Sequence, residues 1–250
     1  MVKTQPILAA EQLTVGYLKA ADKLTVLQKI DLKANLGELH CLVGENGIGK
    51  STLLRTLAGL QNPISGKILI DNKDINTRTS GQLARSIAVV LTKQAIQASF
   101  TVRELVAMGR YPYTGWNGRL KADDEAKVDE ALSLCQLLPI ADNNIHKISD
   151  GQLQKTLIAR ALAQDCPVMI LDEPTVHLDP NNRFTIISLL KKIATEAHKC
   201  IILSTHQVEI VVALADYIWL AKSKTEMLID KPEAMLKNKL LHQVFPNIRF

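Results

Sequence analysis

The chain has 250 residues, a formal net charge of +5, 47% hydrophobic and 22% charged residues, and only 4% aromatics. These proportions exclude a disordered or low-complexity protein and require a large core filled mostly by aliphatic side chains. Lys and Arg are scattered, which describes a solvated surface rather than a nucleic-acid face, so no nucleic-acid partner is expected.

The N-terminal residues lack the apolar stretch of a secretory signal. No apolar run approaches the roughly 20 residues needed to cross a bilayer. The best candidate, Ile201 to Ala221, is broken by His206, Gln207, Glu209 and Asp216. A soluble, cytoplasmic protein is expected, whose membrane role, if any, comes through a partner. Cys41, Cys135, Cys166 and Cys200 are widely spaced and form no metal-ligand pattern. They read as small buried hydrophobes in a reducing compartment.

Residues 6–43 are strand-rich. Leu39-His40-Cys41-Leu42-Val43 leads straight into Gly44-Glu45-Asn46-Gly47-Ile48-Gly49-Lys50-Ser51. A helix from Ser51 to Leu60 and a strand from Lys67 to Ile70 follow. Thr101-Val102-Arg103-Glu104 has the form of a capping box and opens a helix to about Met108. Asp123 to Leu138 is expected to be a helix with Val128, Ala131, Leu132 and Cys135 on one face. A third helix runs from Asp150 to about Gln164, with Leu153, Leu157, Ile158, Ala161 and Leu162 on one side. Three helices between two strand-rich blocks predict an α/β fold: a core of residues 1–94 and 161–250, with a helical subdomain of residues 95–160 inserted in it.

The glycines of Gly44 to Ser51 let backbone N–H groups converge on phosphate oxygens, and the following helix adds its positive end. Lys50 is placed to reach the β- and γ-phosphates, and the Ser51 hydroxyl to ligate Mg²⁺. The plainer alternative is a glycine-rich turn capping a helix. Val168-Met169-Ile170-Leu171-Asp172-Glu173 reads as a strand buried on both faces, with carboxylates at the ligand-binding end of an α/β sheet. Asp172 suits Mg²⁺, and Glu173 suits polarising an attacking water. Ser149-Asp150-Gly151-Gln152, taken alone, reads only as a well-started helix.

In this order, the elements resemble the nucleotide-binding subunit of ATP-binding cassette (ABC) transporters over nearly the whole chain. The resemblance implies a RecA-like P-loop core with an antiparallel β subdomain and the inserted helical subdomain. Tyr17 falls where the family stacks an aromatic on adenine. Gly44 to Ser51, with Thr52, corresponds to Walker A: Gly44, Glu45, Asn46, Gly47, Ile48, Gly49, Lys50, Ser51 and Thr52 are expected to bind ATP. Ile148 to Gln152 corresponds to the signature, Asp172 and Glu173 end Walker B, His177-Leu178-Asp179 is the D-loop, and His206 is the switch histidine. The expected catalytic residues are Glu173, His206 and Lys50, and the expected Mg²⁺ residues are Ser51, Asp172 and Thr92.

The family pairs two subunits head to tail, so that Ser149, Gly151, Gln152 and Asp179 are expected to complete the ATP site of a second copy. A homodimer follows, peripheral on the inner face of the cell membrane, with integral-membrane permease subunits as partners and a solute-binding protein acting indirectly.

Asp150 replaces the usual first glycine of the signature, Leu153 a common basic residue, and His177 a small one. Spacing puts Thr92 at the Q-loop glutamine position, with Gln94 two residues late as the alternative. The stretch Thr101 to Tyr113, ending Gly109-Arg110-Tyr111-Pro112-Tyr113, resembles the importer branch for iron–siderophore, haem and cobalamin uptake. Tyr111, Tyr113 and Trp116 either face the permease or pack the subdomain. An ABC exporter ATPase, or a soluble ABC ATPase of DNA repair or translation, is the alternative function.

Overall fold

The computed structural model describes residues 5–19, 22–92, 99–115 and 118–246. β1 (Leu8–Lys19) and β2 (Asp22–Ala34) form a long antiparallel pair, followed by β3 (Leu39–Gly44) and α1 (Lys50–Leu57). β4 (Ser65–Ile70), β5 (Lys73–Asp74), α2 (Ser80–Ala84) and β6 (Ile87–Val90) come next. The helices α3 (Val102–Ala107), α4 (Ala122–Leu134) and α5 (Asp150–Ala163) precede β7 (Val168–Leu171). The chain then alternates through α6 (Pro180–Glu196), β8 (Cys200–Ser204), α7 (Val208–Leu214) and β9 (Tyr217–Ala221). It closes with β10 (Met227–Asp230), α8 (Pro232–Lys237) and α9 (Leu240–Val244).

Two sheets result. One has the order β2-β1-β4-β5 and is antiparallel; the other has the order β10-β9-β3-β8-β7-β6. Within the second, β9, β3, β8, β7 and β6 are parallel, and only β10 runs the other way. The parallel strands read as continuous apolar runs because both faces are covered. Leu39, Cys41, Val43, Met169, Leu171, Ile201 and Leu203 point into a core shared with the helices. Leu42, Val168, Ile170, Cys200 and Ile202 point into a second core shared with α1 and the antiparallel sheet. The period-two alternation thus splits one strand between two cores.

Val102, Leu105, Val106, Val128, Leu132, Leu157 and Ile158 belong to the same buried cluster as β3 and β8, so the three middle helices share a core with the sheet. The capping boxes at Thr101/Glu104 and Ser149/Gln152 both form; each N-cap is worth about 1 kcal/mol. α4 starts near the expected place but stops at Leu134, four residues short. Gln136 there turns left-handed at φ 59°, and Pro139 lies in a 3₁₀ turn over Leu138–Ile140. α1 likewise ends at Leu57 rather than Leu60, because Gly59 adopts φ 70°.

All four cysteines are buried and free. Burial pushes the Cys135 and Cys166 thiols up to about 12 and raises those of Cys41 and Cys200 as well. No described helix is long and apolar enough to cross a membrane.

Tyr113 packs rather than projects. Its ring lies under Arg110, 4.1 Å from the guanidinium carbon, and beside Arg85 at 5.2 Å. Arg110 is buried, donates to Asp124 Oδ1 at 3.0 Å and to the Ala163 carbonyl at 2.8 Å, and so ties the end of α3 to α4 and α5. Tyr111 is exposed, and Trp116 lies outside the described residues.

Candidate functional site

The carboxyl ends of β3, β8 and β7 lie side by side, because β3 pairs with β8 and β8 with β7 in parallel register. That is where open α/β sheets bind ligands. β3 delivers Gly44 to Ser51, β7 delivers Asp172 and Glu173, and β8 delivers Ser204, Thr205 and His206.

The loop after β3 is held tight by glycine geometry. Gly49 has φ 114°, and a Cβ there would stand 2.2 Å from Val26 Cγ1. Only glycine allows β2 to close over the loop at that point. Lys50 is 95% buried, with its ammonium donating to the Gly44 carbonyl at 2.9 Å and the Glu45 carbonyl at 3.0 Å. Burial lowers its pKa, and the nearby carboxylates of Glu173 and Asp172 offset part of that.

A cavity of about 290 Å³ opens here, lined by Tyr17, Val26, Asn46, Gly47, Gly49, Lys50, Ser51, Thr52 and Glu173. Tyr17 is 43% exposed, and its hydroxyl shares a 3.1 Å hydrogen bond with Thr52 Oγ1. Its ring therefore forms a fixed aromatic wall beside the phosphate loop. Glu45 is exposed and Ile48 half-buried, both on the loop itself.

Ser51 Oγ donates to Asp172 Oδ1 at 3.0 Å, joining residues far apart in sequence. Asp172 is itself buried. A hydroxyl and a carboxylate form the hard oxygen pair that suits Mg²⁺ when phosphates and waters complete its shell. Among the described residues no group of three His, Cys, Asp or Glu forms a dedicated metal cage.

Glu173 sits just beyond β7 at φ 47°, a left-handed conformation costing a non-glycine residue roughly 1–2 kcal/mol. The turn brings Glu173 Oε1 to 2.5 Å from His206 Nε2. Ser204, fully buried at the end of β8, accepts from the Glu173 N–H at 2.9 Å and donates to Asp172 Oδ1 at 2.7 Å. Sequence reading passed over Ser204. It ends an apolar run, and its role follows only from the β7–β8 register.

Thr92 lies beside the Asp172 main chain, and its hydroxyl is engaged there: it donates to the Asp172 main-chain oxygen at 2.7 Å. Gln94, the alternative, lies outside the described residues.

The Ser149 group is placed differently. None of Ser149, Gly151 and Gln152 lines the cavity. Ser149 and Asp150 are exposed at the start of α5, with Ser149 Oγ accepting from the Gln152 N–H at 3.3 Å. Gly151 is packed against α6, where a Cβ would meet Asn182 Oδ1 at 3.0 Å. Asp179 caps α6, accepting from the Asn182 N–H at 3.0 Å. The start of α5 and the start of α6 therefore touch, on a surface outside the nucleotide cavity.

The chain matches the family described as ABC transporter over residues 27–176. It is 36% identical over 239 residues to an uncharacterized ABC transporter ATP-binding protein of Methanocaldococcus jannaschii, with 96% of this chain and 81% of the relative covered. It is 34% identical over 241 residues to a petrobactin import ATP-binding protein of Bacillus anthracis, covering 96% and 87%. Among solved structures, cbiO1 of Clostridium perfringens, part of the ABC transporter complex cbiONQ, aligns with a TM-score of 0.82 at 31% identity, covering 98% of this chain and 96% of that one. A dimeric ATP-binding cassette in a post-hydrolysis state with ADP and Pi aligns with a TM-score of 0.75 at 26% identity, covering 90% and 98%. On these matches and this geometry, the chain belongs to the ATP-binding, ATP-hydrolysing proteins of ABC transporters.

Proposed function

We propose that the chain powers an ABC importer for an iron complex of the siderophore or haem type, or for cobalamin, through a partner permease on the inner face of the cell membrane. The observation that carries the ATPase part is the meeting of Ser51 with Asp172 and of Glu173 with His206 beside one cavity. The importer part is supported by the petrobactin import relative, which matches nearly the whole chain.

In this reading the adenine stacks on Tyr17 and the phosphates lie along Gly44 to Thr52, where backbone N–H groups and the start of α1 favour anions. Ser51 and Asp172 would hold Mg²⁺, which would supply positive charge against the phosphate oxygens. Glu173 takes a proton from the attacking water, whose oxygen bonds to the γ-phosphorus. The bond to the β–γ bridging oxygen breaks, and ADP and phosphate leave. His206 holds the Glu173 carboxylate in line. Thr92 acts through the Asp172 main chain, fixing the end of β7.

The signature completes the site from a second copy. Ser149 and the free N–H groups at the start of α5 point at a γ-phosphate across a head-to-tail homodimer. ATP then favours the closed dimer because it binds that state better, and closure moves the permease docked on the helical subdomain. A solute-binding protein delivers the cargo outside and never touches this chain.

The test is purification of the tagged chain from its native membrane. A stoichiometric multispan permease, with vanadate-sensitive ATPase activity stimulated by the loaded solute-binding protein, is expected. A homogeneous complex with nucleic acid or ribosomes would overturn the importer reading.

A further inference from the structure

We infer that Ser204 is a positioning residue for hydrolysis: one buried hydroxyl that fixes the Mg²⁺ carboxylate and the general base together. The inference rests on the ATPase roles proposed for Asp172 and Glu173.

β7 ends at Leu171, paired with Leu203 of β8. The Asp172 N–H still donates to the Val90 carbonyl at 2.9 Å, as the neighbouring ladder requires. Glu173 then turns into the left-handed region beyond the end of β7, with its N–H facing β8. Ser204 Oγ receives that N–H at 2.9 Å in place of a strand carbonyl. A serine hydroxyl has one proton to give and two lone pairs. With its acceptor role used by Glu173, the proton goes to Asp172 Oδ1 at 2.7 Å. Both groups are thus fixed by one atom that has no access to water.

Asp172 Oδ1 also accepts from Ser51 Oγ at 3.0 Å. Ser51 is the hydroxyl assigned to the metal, so it is not free to hold Asp172 when nucleotide binds. Ser204 is. The left-handed turn at Glu173 needs the same support, because the N–H bond anchors the backbone that aims the carboxylate at His206. Partners of this kind, one bond beyond a metal ligand, are typically worth 10–100-fold in metal affinity or activity.

The test is Ser204→Ala in the full chain, with ATP binding measured by calorimetry with and without Mg²⁺, alongside turnover and Tm. The inference expects unchanged ATP affinity without Mg²⁺, a roughly 10-fold smaller gain on adding Mg²⁺, and kcat lower by about 10–100-fold with KM within twofold. Ser204→Thr, which keeps the hydroxyl, should recover most of both. A merely structural role would weaken binding equally with and without the metal, and that result, or an unchanged Mg²⁺ gain and kcat, overturns the inference. If Ser204→Ala fails to fold, Ser204→Cys is measured in its place against the same criteria. Glu173→Gln is run in parallel: full turnover there overturns the base role of Glu173 on which the inference rests, whereas lost turnover there with normal Ser204→Ala overturns only the role of Ser204.

Discussion

His206 Nε2 lies 2.5 Å from Glu173 Oε1, across the ends of two adjacent parallel strands. The contact brings together residues from the ends of β7 and β8 and puts a carboxylate at the edge of the nucleotide cavity. It also sets the first expectation. Glu173→Gln removes the base but keeps the size and the hydrogen-bonding capacity of the side chain. ATP affinity should stay within about twofold, while turnover falls by roughly 10²–10⁴-fold. Single-turnover assays with radiolabelled ATP check this, and wild-type rates would refute the base assignment.

Lys50→Ala removes the buried ammonium that bonds the Gly44 and Glu45 carbonyls. It withdraws positive charge from the phosphate site and two donors from the loop. ATP affinity by calorimetry should fall at least 10-fold, about 1.4 kcal/mol. Unchanged affinity would contradict the placement of the triphosphate.

Tyr17 separates two roles. If the ring stacks on adenine, Tyr17→Ala should cost about 1–3 kcal/mol of nucleotide affinity. Tyr17→Phe loses only the hydroxyl bond to Thr52 and should bind within twofold. Fluorescent-nucleotide titration distinguishes them. Equal loss in both would assign the effect to the hydroxyl and not to the ring.

Asp124 gives a stability prediction with a sign in pH. The Lys121 N–H holds its carboxyl below the usual carboxylate range, with a further contribution from the Arg110 guanidinium. A depressed folded pKa means that stabilisation is present above the unfolded value near 4 and lost as pH falls through the folded value. Asp124→Asn leaves Arg110 buried without its counter-charge and should cost about 3 kcal/mol at pH 7. Urea unfolding should show that gap closing below about pH 4. A gap independent of pH would remove the electrostatic explanation.

Local signals were legible wherever the chemistry is short-range. Thr101 with Glu104, and Ser149 with Gln152, named their helix starts because a capping box closes within three residues. The phosphate loop and the strand before Asp172 were equally plain. The end of α4 was not: the apolar face continues through Cys135, and only the left-handed turn at Gln136 stops the helix. Ser204 and the Thr92 bond to Asp172 were invisible because both depend on which strands lie beside β7. Tyr113 was ambiguous for a similar reason, since its partner Arg85 precedes a strand far back in the chain.

The central claim is that the Ser149 group serves the ATP site of a second copy. The most direct measurement is light scattering of Glu173→Gln on a sizing column, with Mg²⁺ and ATP. Twice the monomer mass is predicted with ATP and monomer without it, and adding Ser149→Arg in the same chain should abolish the dimer while ATP still binds each monomer. A chain that binds ATP stoichiometrically yet stays monomeric, or a dimer indifferent to Ser149→Arg, would contradict the account.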